Sequence, residues 1–163
     1  MATREEFVKA VYSIYKNHGV YVWGGNGEYL DDVRMQKLRN METSATNLAR
    51  VLRCIALYYD RGYAMEKCRI CDCSGLVIAA LRDIKVLTTQ DYTAKDLQKM
   101  STPVKLNELK AGDLVFNKSK DASHVGVYVG NNQVIEAQGR DYGVTLNDVD
   151  GRWIIGGRLK YFN

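Results

Sequence analysis

The hydrophobic pattern of this chain changes period once, near Pro103, and that change constrains the fold more than any other feature. Before it, apolar residues recur every three or four positions; after it, they alternate with polar ones. Helices first and strands second, within 163 residues, predict one α+β domain with helices packed on an antiparallel sheet. The length suits one core of ordinary size. Thr3 and Glu6 form a T-x-x-E capping box, and Phe7, Val8, Val11, Tyr12 and Tyr15 follow at helical spacing. Asn17, His18 and Gly19 end this helix, with Gly19 suited to a positive φ. Residues 21–27, YVWGGNG, read as a glycine-rich loop, and 28–42 as a polar stretch. A second helix begins near Thr43 or Ser44, carries Leu48, Val51, Leu52, Ile55 and Tyr59 on one face, and ends at Gly62. LVIAAL at 76–81 is apolar all round and predicts a buried helix capped by Asp72, with Cys73 in its first turn. A short helix over 93–100 precedes Pro103. Strands are expected at 113–117, 124–129, 133–138 and 153–160, with Gly130, Asn131 and Asn132 turning 124–138 into a hairpin.

Scarcity narrows the chemistry. The chain has two histidines, so any step that needs imidazole must use His18 or His124. A net charge of +4 without a Lys/Arg run gives no argument for nucleic acid. No stretch approaches the ~18 apolar residues of a membrane span. The opening MATREEFVKA lacks the apolar core of a signal peptide. The four cysteines are Cys54, Cys68, Cys71 and Cys73. A structural zinc site would need all four and would consume the best nucleophile, so neither metal nor cofactor is expected. Pairing of Cys54 with Cys68 or Cys71 requires an oxidising setting; free thiols are expected inside a cell.

Cysteine acts as a thiolate, and the free N–H groups and dipole of a helix N-terminus favour negative charge. Cys73 is expected at such a terminus, where the same N–H groups can stabilise an oxyanion. Ser74 and Gly75 are small enough to let a substrate approach. The nucleophile needs a base, and the base an orienting partner. His124 opens a strand in which Val125, Val127 and Val129 face one side while His124, Gly126 and Tyr128 face the other. With a loop of 130–132, His124 lies opposite Gln138 and diagonal to Glu136, both on its own face. A two-residue loop would break this relation, because a one-residue slip reverses the face.

DCSG at 72–75, LKAGDLVF at 109–116 and HVGVYVGNNQVIEA at 124–137 together resemble the NlpC-type cell-wall cysteine peptidases, and YVWGGNG resembles the loop upstream of that family's nucleophile. The resemblance implies a papain-like fold with Cys73 as nucleophile and His124 as base. It puts Glu136, twelve positions after His124, in the place of the third polar residue. Tyr21 matches a tyrosine that helps to stabilise the oxyanion. Asp72 and Ser74 match groove-lining positions; Trp23 is a wall of that groove, and Gln138 is a substrate-side alternative to Glu136. The segment between the Tyr21 loop and Cys73 is longer than the family usually has, which implies a helical insertion at about 28–68 within a single domain, 1–163.

The implied activity is hydrolysis of amide bonds in peptidoglycan stem peptides, between D-γ-glutamyl and a diamino acid or at a cross-bridge, through a thioester and without a metal. The implied partner is peptidoglycan or a muropeptide, met by a monomer. The rivals are a CHAP-like amidase, a protein-directed cysteine hydrolase, and a non-catalytic binding module with a relict site. The related lipid acyltransferases place histidine before cysteine, the reverse of the order here. Without a signal, access to the wall is expected through phage-type release or a dedicated export machine.

Overall fold

The computed structural model describes residues 2–162. Helix α1 (Arg4–Lys16) begins at the expected capping box, with the Thr3 hydroxyl accepting from the Glu6 N–H and the Glu6 carboxylate accepting from the Thr3 N–H. Its end differs from expectation. His18, not Gly19, takes the left-handed conformation at φ 58°. The Gly19 N–H donates to the Ile14 carbonyl and the His18 N–H to that of Tyr15, a complete Schellman pair. Gly19 is small for another reason: a Cβ there would meet Val144 at 2.8 Å.

Two short strands follow, β1 (Val20–Tyr21) and β2 (Asn26–Tyr29), then a 3-10 turn and helix α2 (Met35–Met41). The polar stretch 28–42 thus contains the end of β2 and a helix not expected from sequence. Its buried apolar residues Leu30 and Leu38 are too sparse to set a period among charged neighbours. Helix α3 (Ala45–Asp60) starts from Ser44 and ends at Gly62 as expected, but its buried face runs through Val51, Cys54 and Tyr58, while Tyr59 of the expected stripe is exposed. Strand β3 (Arg69–Cys71) returns between β1, to which it is parallel, and β2, to which it is antiparallel. Val20, Val22, Leu38, Val51, Cys54, Tyr58, Cys68 and Ile70 form one core between this small sheet and helices α2 and α3.

Helix α4 (Cys73–Asp83) is buried from Ser74 to Leu81 and packs against α1, β2 and the large sheet. Helix α5 (Ala94–Met100) and strand β4 (Thr102–Val104) lead to β5 (Leu114–Phe116), β6 (Val125–Gly130), β7 (Gln133–Gly139), β8 (Gly143–Asp148) and β9 (Ile155–Arg158). Their order is β4-β9-β5-β6-β7-β8, antiparallel throughout. The last expected strand shrinks to four residues, leaving Trp153 in the preceding turn. Strand β8 is an addition: only Val144 and Leu146 mark its apolar alternation, and its place comes from pairing along β7 and from a hydrogen bond of the Val144 N–H to Gly19. The valine face of β6 and Ile135 and Ala137 of β7 join α1 and α4 in the main core.

Candidate active site

Cys73 is the first residue of α4, and Asp72 caps the helix through a 2.7 Å bond from the Gly75 N–H. The second Asp72 oxygen accepts from the Gly24 N–H at 2.9 Å, and the Asp72 N–H donates to the Gly25 carbonyl at 3.0 Å. The residue before the nucleophile therefore clamps the glycine-rich loop against the helix start. Burial raises the Asp72 pKa, opposed by these N–H groups and by the Ser74 hydroxyl. A Cβ on Gly75 would lie 1.8 Å from the Gly25 carbonyl oxygen. Gly75 is thus small to admit this loop rather than a substrate.

His124 reaches the face of Glu136 by a different route from the one expected. The turn is two residues, Asn131 and Asn132, both at positive φ (51° and 59°) as a type I′ turn requires. Alone it would put Glu136 opposite Val127. Val129 is bulged instead, between the pairs Tyr128↔Val134 and Gly130↔Gln133, and so Val127 faces Ile135. The ladder extrapolates to Gly126 opposite Glu136, leaving His124 diagonal to the acid. The His124 Nε2 lies 3.4 Å from Glu136 Oε1, which leaves Nδ1 for the thiol side. Burial lowers the imidazole pKa, but the contacts with Cys73 and Glu136 outweigh it and bring it up to about 9. Glu136 is fully buried. Burial would raise its pKa, yet His124 and Arg152 hold it below the usual carboxylate range.

Arg152 grips both Glu136 oxygens at 2.8 and 3.2 Å, and the Trp153 ring stacks on His124 at 5.5 Å between centroids and 15° between planes. Sequence reasoning assigned neither residue a place here. The available signal was that a buried strand carboxylate requires a cation, but nothing in the sequence says which arginine supplies it. Asn117 fixes the approach to His124 by accepting from the Ser123 and His124 N–H groups.

Tyr21, Trp23, Asp72, Cys73, Ser74 and His124 line one cleft of about 380 Å³, together with Thr93, Ala94, Ala122 and Ser123. Trp23 stands 61% exposed at its rim. Burial, then the neighbouring Cys73 and Asp72, push the Tyr21 phenol far up, so it is a hydrogen-bond donor at any working pH. Gln138 is not among the residues lining this cleft; its carbonyl oxygen is committed to Thr145 and Asn147 on β8. His18 lines a separate concavity of about 520 Å³, stacked on Tyr63 at 3.7 Å. All four thiols are free. Cys54, Cys68 and Cys71 are buried and held protonated, Cys68 at about 12, whereas Cys73 is half-exposed in the cleft.

The sequence model of the NlpC/P60 family matches residues 57–156, from the end of α3 through the start of β9. The chain belongs to the NlpC/P60 family. Among curated relatives, the murein DD-endopeptidase MepH of Escherichia coli is 34% identical over 76% of this chain and 46% of its own length. The peptidoglycan endopeptidase RipB of Mycobacterium tuberculosis is 37% identical over 48% of this chain and 32% of its own. The chain thus spans less than half of each. The NlpC/p60 domain of the peptidoglycan hydrolase SagA has the same fold, with a TM-score of 0.63 at 18% identity over 97% of this chain and all of that one.

Proposed function

We propose that this NlpC/P60 domain is a cysteine endopeptidase that hydrolyses amide bonds in peptidoglycan stem peptides. The observation that carries the reading is that Cys73, at a helix start, and His124, backed by a buried Glu136, face one open cleft. The relatives named as murein and peptidoglycan endopeptidases supply the substrate class, and the DD-endopeptidase name of MepH favours the cross-bridge.

The Cys73 thiolate attacks the amide carbonyl, and His124 gives its proton to the leaving amine. Water, activated by the then neutral imidazole, releases the acid from the thioester. Glu136 pairs with the imidazolium and fixes the ring, and Arg152 keeps that acid ionised in its buried position. The Tyr21 hydroxyl and the N–H groups at the start of α4 stabilise the tetrahedral oxyanion. Asp72 and Ser74 shape the floor of the groove and Trp23 its rim. The domain acts as a monomer.

The test is digestion of cell-wall sacculi by the purified chain, with fragments identified by mass spectrometry. Cleavage within or between stem peptides, abolished by Cys73→Ala, is expected. Release of whole stems from the sugar would assign a CHAP-like amidase instead, and fragments unchanged by Cys73→Ala would remove the mechanism.

A further inference from the structure

Glu42 lies between α2 and α3, outside the residues that match the family, and is only 3% exposed. An isolated carboxylate there would be costly, so its partners matter. It accepts the Trp23 main-chain N–H at 2.7 Å and receives the Arg140 Nε on both oxygens at 3.0 and 2.9 Å. Arg140 follows β7, and its guanidinium lies over the Tyr21 ring, 5.3 Å from the centroid. The ring is therefore held from two sides: on its face by Arg140, and through the backbone two residues on by Glu42. Strand β1 itself is two residues long, pairing Val20 with Ile70 and Tyr21 with Cys71.

We infer that Glu42 and Arg140 are positioning residues that set the Tyr21 hydroxyl for its work at the oxyanion. The inference rests on the role given to Tyr21 under Proposed function. Neither residue lines the cleft that holds Cys73 and His124. Displacement of a reacting group by about 1 Å costs up to a hundredfold in rate, and losing both contacts removes the cation from the face of the ring and the anchor of the backbone two residues on.

A double-mutant cycle on a soluble cross-linked muropeptide decides it. Glu42→Gln with Arg140→Met removes both charges together, so that no buried ion is left unpaired. This pair is expected to lower kcat about tenfold or more, with KM within about twofold, and to lower it no further once Tyr21→Phe is present. Equal losses of kcat with and without the Tyr21 hydroxyl overturn the inference, as does a loss confined to KM. If Tyr21→Phe alone leaves kcat unchanged, the role of Tyr21 itself falls, a result distinct from additivity. Should the paired substitution not fold, Arg140→Lys serves: it keeps a cation against Glu42 but cannot both pair with it and lie flat on the ring. Its kcat loss is likewise expected to vanish in the Tyr21→Phe background, and persistence there overturns the inference.

Discussion

Burial works against a charged imidazole, yet Cys73 and Glu136 together hold the His124 proton until about pH 9. The imidazolium is the proposed acid for the leaving amine, so activity is expected to persist through neutral pH and to fall on an alkaline limb near 9. Glu136→Gln removes the charge that favours imidazolium. It is expected to bring that limb down toward 6.5, the ordinary value, and to lower the maximum rate, as read from a kcat/KM profile against pH. The linkage to stability follows the same signs. The contribution of His124 is fully present below 6.5 and is lost as pH rises through about 9. The contribution of Glu136, whose pKa is lowered, is present above 4.5 and is lost as pH falls through its folded value.

At the scale of elements, the β6–β7 hairpin does the aligning. A two-residue turn and a one-residue bulge offset each other, so that a side chain from each strand meets on the face away from the valines. The turn depends on Asn131 and Asn132 at positive φ, where asparagine is tolerated and β-branched residues are not. Asn132→Val is expected to cost about 1–2 kcal/mol per strained residue, whereas Asn132→Gly leaves stability unchanged or slightly higher. Thermal unfolding of the two variants checks the difference.

At the scale of the molecule, the two ends of the chain are joined at one buried acid. Asp113, fully buried before β5, accepts Arg4 from the start of α1 at 2.8 Å, Arg158 from β9 at 2.9 and 2.7 Å, and the Lys110 N–H at 2.8 Å. Burial opposes its ionisation, but these partners win and lower its pKa. Asp113→Ala leaves two arginines without their carboxylate. It is expected to cost about 3 kcal/mol, the lower end for breaking a buried pair, as measured by denaturant unfolding. Since Asp113 is not among the residues lining the cleft, kcat of the folded variant is expected to stay near the parent value.

The period switch, the capped helix with Cys73 in its first turn and the strand that begins just after His124 were legible because each depends on neighbours a few residues away. The diagonal of His124 and Glu136 was not legible in the same way: the expected 130–132 loop is a two-residue turn, which alone would break the relation, and the bulge at Val129 restores it. The sequence by itself therefore determined the class of fold and the helix start at Cys73, while the face on which His124 and Glu136 meet was set by the bulge at Val129. Only the tertiary structure decided that Arg152 and Trp153 hold the histidine and acid, that Glu42 and Arg140 bracket Tyr21, and that Gly75 admits a loop. It also decided that β1 and β3, about fifty residues apart, form a parallel pair. The physical reason is range: local periodicity and capping are set by backbone geometry, whereas a buried charge must find its partner wherever the folded chain brings one.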